Sequence, residues 1–171
     1  SHAISYAIGS YYAAWLHTHY ETEWLAAILQ SENGNPKGMS KTISEIKSFG
    51  YEIAAVDINH SGTEWEYSEE LSAFVPPLTS LKGVGDKAVE EVFNNRPYKD
   101  LQDLFYNEEG KWKHSKLNKT AFVSLSKMES FKSLDEFKNN KLNHHKQLHD
   151  MITENYNDLK RGEWGITKTA Y

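Results

Sequence analysis

The sequence contains no cysteine, which excludes disulfide bonds and thiolate-ligated zinc sites. No apolar run approaches the roughly 20 residues that a membrane-spanning helix needs. The first thirty residues are interrupted by polar side chains and have no basic leader, so they do not fit a signal peptide. With 39% hydrophobic and 13% aromatic residues among 171, the chain is predicted to be a folded cytoplasmic protein of one domain or two small ones.

Common catalytic arrangements are also missing from the sequence. It has no Walker-type phosphate loop and no Ser-His-Asp arrangement. The acids of residues 1–75 are scattered without Asp-x-Asp spacing, whereas two-metal phosphoryl transfer needs clustered carboxylates. Asp57 is therefore predicted to be a turn former. His145 and His149 lie four residues apart on a predicted helix, but without a third ligand they are predicted to face solvent. We expect no catalytic residue and no metal site in this chain.

Basic residues are scarce in the first part of the chain and abundant in a later part. Residues 1–75 contain three Lys or Arg against ten Asp or Glu, whereas residues 111–146 contain nine Lys against three acids. The formal net charge of −5 therefore conceals a polarised distribution. The lysine-rich part is either a solvated helix face or a surface for a polyanion such as a nucleic acid.

Residues 78–93 contain the most informative pattern, two short predicted helices joined by Gly-Val-Gly. The two glycines allow a tight turn and let backbone N–H groups approach an external group closely. Those amides open the second helix, whose positive dipole end favours an anion. The residues predicted to contact one phosphate are Lys82, Gly83, Val84, Gly85, Asp86 and Lys87.

The apolar residues around this bend fall where two crossed helices would bury them. The combination predicts a helix-hairpin-helix motif, which contacts nucleic-acid phosphates without reading bases. Residues 117–125 could form a second, degenerate copy without the two glycines. The lysines predicted to extend the contact along double-stranded DNA are Lys111, Lys113, Lys116 and Lys119. The alternative is a helical corner that serves as protein scaffolding.

The coarse pattern predicts an α+β protein that is mainly α-helical. Helices are predicted from Glu21 and from Asn35-Pro36, a strand over 51–56, and a small hairpin of 65–67 with 71–75. A short helix is predicted from Asp100 to Tyr106. Asn118 is predicted to cap another helix, whose inner face would contain Phe122, Leu125 and Met128. Pro76-Pro77 marks the predicted domain boundary, which gives segments 1–75, 76–134 and 135–171. A capping box over Ser133–Glu136 predicts the start of a longer polar helix.

Several motifs, taken in order, resemble the C-family replicative DNA polymerases of the bacterial or phage DNA polymerase III alpha type. The resemblance covers residues 1–134, from the end of the fingers region through the helix-hairpin-helix module. The motifs are Ser1-His2-Ala3 with Tyr6, His19-Tyr20, Trp24–Leu29, Asp57-Ile58-Asn59, Leu81–Gly85, Tyr98–Leu101 and Leu117-Asn118-Lys119.

The resemblance implies that the parent protein is a DNA-directed DNA polymerase, a nucleotidyltransferase whose catalytic Mg²⁺-binding aspartates lie upstream in a palm domain. This segment would be inactive alone and would need no cofactor. His2 could approach the phosphates of the incoming nucleotide, and the alternative is a helix-capping or buried histidine. The implied partners are double-stranded DNA and the other polymerase domains, without a membrane.

The family's clamp-binding peptide has no match in residues 135–171, so sliding-clamp binding is not expected of this segment. Because the chain starts at Ser1-His2 without methionine, we expect a piece of a larger protein. Two alternatives stay open: an accessory protein of DNA repair or recombination, and a protein-binding scaffold that uses the same hairpin.

Overall fold

The computed structural model describes residues 21–138 and 143–163. Predictions on residues 1–20, including the role of His2, lie outside the described residues. The chain divides into two compact units, Ser1–Ala54 with Trp65–Val75, and Ala55–Glu64 with Pro76–Tyr171. The second unit thus also includes a short segment that precedes Pro76. The predicted three-segment division stays a prediction.

Two helices form most of the described part of the first unit. Residues 21–31 are helical (α1), and α2 spans Pro36–Ser48. Asn35 caps α2 by accepting a hydrogen bond from the Gly38 amide at 3.3 Å, and proline occupies the first turn, as Asn-Pro predicts. The helix ends one residue before Phe49.

A three-stranded sheet completes the first unit. Its strands are β1 (Glu52–Ile53), β2 (Glu66–Ser68) and β3 (Ala73–Val75), in the order β1-β3-β2. The predicted hairpin is confirmed, because β2 and β3 pair antiparallel. The parallel pairing of β1 with β3 was not predicted. The core contains Leu25, Leu29, Ile46, Trp65 and Phe74.

The strand predicted over 51–56 is shorter in the structure. Only residues 52 and 53 are in β1, and one further bond joins the Ala54 amide to the Phe74 carbonyl. Beyond that point Val56 and Ile58 are buried in the core of the second unit. Since their side chains serve that other core, the chain leaves the sheet after Ala54.

The second unit is helical. After a 3₁₀ turn at Leu78–Ser80 come α3 (Asp86–Asn95), α4 (Leu101–Phe105), α5 (Lys119–Lys127), α6 (Asp135–Lys138), α7 (Asn143–Glu154) and α8 (Tyr156–Lys160). One continuous core joins them, and its largest fully buried members include Tyr98, Phe105, Phe122 and Phe131. The predicted α+β, mainly α class is therefore confirmed. None of the helices within the described ranges has the length and apolarity needed to cross a membrane.

The Asp57 turn connects distant parts of the second unit. The Asp57 carboxylate, which is buried, accepts hydrogen bonds from the Asn59 amide at 2.9 Å and from the Ser133 hydroxyl at 2.7 Å. The Asn59 side chain in turn accepts from the Tyr98 amide at 2.7 Å and donates to the Tyr98 carbonyl at 2.9 Å. Asp57 is thus a turn former, as predicted, and its carboxylate is occupied by protein donors.

The predicted capping box of Ser133 and Glu136 is wrong. The Ser133 hydroxyl donates to Asp57, and the Glu136 carboxylate accepts from the Leu101 amide at 3.1 Å. Both side chains thus bond to other segments, and α6 begins two residues after Ser133, at Asp135. The described residues of this region include α6, α7 and α8, and α7 packs on α5. Residues 139–142 lie outside the described residues, and the helix predicted through the 140s and 150s is seen as α7, which ends at Glu154. Met128, expected on the inner face of α5, is 51% exposed.

Candidate nucleic-acid interface

The first helix of the predicted hairpin is shorter than expected. It is only the 3₁₀ turn, which continues through a bond from the Leu81 amide to the Leu78 carbonyl at 3.1 Å. The Val84 amide then donates to the Leu81 carbonyl at 3.2 Å, and the Val84 side chain is buried. Because this amide already has an acceptor, we leave Val84 out of the set of candidate phosphate contacts.

Gly83 forms the bend and lies against the start of α5. Its φ is +84°, and an added Cβ would come within 2.9 Å of Thr120 Cγ2 and 3.2 Å of the Ala121 amide nitrogen. The carbonyl of Lys82 accepts a hydrogen bond from the Ser124 hydroxyl at 2.7 Å. Both the backbone conformation and the close approach therefore require glycine here.

Gly85 presents the open side of the bend. It is the N-cap residue of α3, with φ −94° and ψ 179°, and no side chain caps the helix there. No atom lies within 4 Å of a Cβ added at Gly85. Within the described part of the chain, the amides of Gly83 and Gly85 donate to no acceptor. With the first amides of α3, they form an N-terminus that an anion can approach.

The start of α5 provides an internal comparison. Asn118, its N-cap residue, has φ −101° and ψ −179°, nearly the backbone conformation of Gly85. Its side chain, however, accepts a hydrogen bond from the Ala121 amide at 2.9 Å. The same helix position is thus capped in α5 and uncapped in α3. This difference favours the first hairpin as the phosphate site.

The predicted lysines differ in their surroundings. Lys82, Lys87, Lys116 and Lys119 are exposed. Lys111 is also exposed and pairs with Glu109 at 3.3 Å. Lys113 has a side chain only 14% exposed and pairs with the Asp103 carboxylate at 3.2 Å. Since that internal pair holds its charge, we leave Lys113 out of the candidate surface.

The candidate surface is named here the backbone-binding surface. It combines the uncapped start of α3 with lysines on the bend, on α3 and on the segment before α5. Asp86 is exposed in the first turn of α3, where a carboxylate interacts favourably with the helix dipole. The backbone-binding surface consists of Lys82, Gly83, Gly85, Asp86, Lys87, Lys111, Lys116 and Lys119.

Glu91 on α3 was not singled out from the sequence. Its carboxylate accepts hydrogen bonds from the Ser115 hydroxyl at 2.7 Å, the Ser115 amide at 3.0 Å and the Lys116 amide at 2.9 Å. Burial alone would raise the pKa of Glu91, but these bonds outweigh it and lower the pKa. No sequence signal pointed to this contact, because the residues are more than twenty positions apart.

His114 lies beside the Glu91 carboxylate. Its Nδ1 is 3.2 Å from Glu91 Oε1, and its Nε2 is 2.5 Å from the Leu104 carbonyl oxygen. Burial lowers the pKa of His114, and the bond to Leu104 and the charge of Glu91 oppose the shift only in part. Both ring nitrogens face acceptors, and the buried ring is packed in the core of the second unit.

The two histidines of α7 do not form an exposed pair, which corrects the prediction. His149 Nδ1 lies 2.9 Å from the Ser126 hydroxyl on α5, and the His145 ring lies 4.1 Å from that of Phe137. Each ring thus packs against a neighbouring helix. Among the described residues, no group of three His, Cys, Asp or Glu side chains could hold a metal ion.

Comparison with known proteins agrees with this geometry. A family described as the helix-hairpin-helix motif matches residues 50–141. DNA polymerase III subunit alpha of Chlamydia muridarum is 36% identical over 135 residues, which are 77% of this chain and 10% of that protein. The same subunit of Campylobacter jejuni is 32% identical over 142 residues, 80% of this chain and 11% of that protein. The resemblance expected from the ordered motifs is confirmed. The chain spans about a tenth of the length of these relatives.

Proposed function

We propose, since this chain belongs to the helix-hairpin-helix family, that it binds the sugar–phosphate backbone of double-stranded DNA without reading base sequence. The observation that carries the proposal is the uncapped start of α3, where Gly85 leaves open space beside amides that have no acceptor in the described residues. Backbone amides at a helix N-terminus bind phosphate oxygens regardless of the attached base.

The exposed lysines of the backbone-binding surface add the charge that such contacts need. Lys82 and Lys87 flank the bend, and Lys116 and Lys119 lie before and at the start of α5. Each lysine that neutralises a phosphate releases a counterion from the DNA, so affinity falls steeply with salt. The overall charge of −5 does not oppose this, because residues 111–146 contain nine Lys against three acids.

We further propose that the chain is a segment of a replicative DNA polymerase of the DNA polymerase III alpha type. The relatives named above carry that description, and they match most of this chain. In the intact protein the segment would hold the duplex beside the other polymerase domains. Nucleotide addition and its Mg²⁺ would belong to the remainder of the polymerase, in the cytoplasm. We propose no sliding-clamp contact for this segment.

The proposal predicts a defined response to neutralising the two lysines beside the bend. In fluorescence anisotropy with a labelled duplex, Lys82→Gln and Lys87→Gln should each reduce the slope of log affinity against log salt by about one. For a given variant, the loss of affinity should be the same for duplexes of unrelated sequence. The charge-matched control is Lys41→Gln, an exposed lysine of α2. Salt-independent binding, or equal effects from Lys41→Gln, would contradict the proposal.

A further inference from the structure

Glu91 is an acidic residue on α3, the helix that begins at the proposed phosphate site. A negative charge is unexpected on a surface that binds DNA. On the exposed side of α3 Glu91 lines a groove of about 340 Å³ with Lys87 and Lys116. A carboxylate at that place repels DNA phosphates. An acid with no other role would therefore weaken binding, and its removal would strengthen it.

The contacts of Glu91 indicate what it does instead. Besides the Ser115 hydroxyl, its two carboxylate oxygens accept from three successive backbone amides, those of Ser115, Lys116 and Leu117. His114 Nδ1 lies 3.2 Å from the same carboxylate. We name residues 114–117 the 114–117 loop. Its backbone is thus held on α3 by one side chain.

The same bonds stabilise the charged form of Glu91. Hydrogen bonds from a hydroxyl and several backbone amides disperse the charge of a carboxylate and stabilise its ionised form. The Glu91 side chain is only 11% exposed. The Glu91 carboxylate therefore contacts the backbone of the 114–117 loop. The exposed Lys116 side chain of that loop lines the same groove as Lys87.

We infer that Glu91 is a positioning residue for DNA binding: it fixes the 114–117 loop so that Lys116 joins Lys87 on one phosphate-contacting surface. The inference rests on the proposed DNA binding. Removing an acid near DNA is usually expected to strengthen binding, whereas this inference predicts that removing Glu91 weakens it. The role is indirect, because the carboxylate contacts the loop and the lysine contacts the DNA.

The neighbouring residue provides a matched control. Glu90 is exposed on the same helix and lines the same groove, and no hydrogen bond ties it to the loop among the described residues. Glu90→Gln and Glu91→Gln remove the same charge from adjacent positions. Glu90→Gln should bind a duplex as tightly as the unchanged chain or more tightly, because only repulsion is lost.

Glu91→Gln should bind the duplex about threefold or more weakly at low salt, and its salt slope should fall by about one. Lys116→Gln should cause the same loss, and the double variant should be no weaker than either single one. Such non-additivity shows that the two residues act through one contact. If Glu91 acted only in folding, Lys116→Gln would still weaken DNA binding when it is added to Glu91→Gln.

Amide hydrogen exchange provides a readout that needs no DNA. In Glu91→Gln the amides of Ser115, Lys116 and Leu117 should exchange about tenfold faster or more, because glutamine offers one neutral acceptor oxygen in place of two charged ones. If Glu91→Gln does not fold, Ser115→Ala takes its place. Ser115→Ala removes only the bond from the Ser115 hydroxyl to Glu91. It should change the exchange rates and the salt slope in the same direction as Glu91→Gln.

The outcomes separate the inference from the proposed function. If the unchanged chain binds DNA and Glu91→Gln binds as tightly as Glu90→Gln, the inference is wrong and the proposed function stands. Full additivity with Lys116→Gln overturns the inference in the same way. If the unchanged chain binds no duplex at any salt concentration, both are wrong, whatever the exchange rates show.

Discussion

Gly83→Ala should destabilise the second unit by about 2–4 kcal/mol. Gly83 has φ +84°, in the left-handed region, where a side chain is strained. The added Cβ would also come within 3.2 Å of the Ala121 amide nitrogen, a backbone atom that moves only if α5 shifts. Urea unfolding followed by circular dichroism measures the loss.

Gly85→Ala is the matched control for stability, since it makes the same change two residues away. Gly85 has φ −94°, which alanine adopts without strain, and no atom lies within 4 Å of the added Cβ. Its free energy of unfolding should change by less than about 1 kcal/mol. Equal losses in the two variants would show that the bend does not pack on α5 as described.

Asp57→Asn should also destabilise the second unit, by about 2–4 kcal/mol. Asp57 accepts from the Ser133 amide at 3.2 Å as well as from the Ser133 hydroxyl and the Asn59 amide. An asparagine offers one acceptor oxygen, and its NH₂ group would face a donor. A buried donor would then lose its acceptor, which costs the desolvation energy of that group.

Glu64→Gln is the control for the Asp57 prediction, because it neutralises an exposed acid of the same segment. Its effect on the unfolding free energy should stay within about 0.5 kcal/mol. Thermal and urea unfolding of the two variants provide the comparison. If Asp57→Asn unfolds at the same urea concentration as Glu64→Gln, the turn does not connect the segments of the second unit as the hydrogen bonds indicate.

Local signals predicted most of the helical structure. Asn35-Pro36, Asp100 and Asn118 each marked a helix start that the structure confirms through a side-chain cap. These signals work because the capping side chain and the amide it accepts from lie within three residues of each other. The short hairpin of β2 and β3 was predicted for the same reason, since its partners are close in the sequence.

Signals that depend on distant partners failed. Ser133 and Glu136 have capping-box spacing, but each bonds to a residue at least 35 positions away. The parallel pairing of β1 with β3 joins strands about twenty residues apart. Local spacing contains no information about such partners, so long-range contacts overrode the local pattern.

The candidate site shows the same limit. The glycines, the uncapped helix start and the exposed lysines on either side of the bend could be predicted from residue types. The internal pairing of Lys113 with Asp103 and the anchoring of the 114–117 loop by Glu91 could not. Whether a lysine is available for DNA depends on neighbours that only the fold brings together.

The central claim is that the start of α3 binds DNA phosphates through its backbone amides. The most direct test is an NMR titration of the ¹⁵N-labelled chain with short duplexes of two unrelated sequences. The largest amide shifts should occur at Gly83, Gly85, Asp86 and Lys87, should match between the duplexes and should diminish with added salt. The capped Ala121 amide of α5 should shift less. Binding that leaves the Gly83–Lys87 amides unshifted would contradict the account.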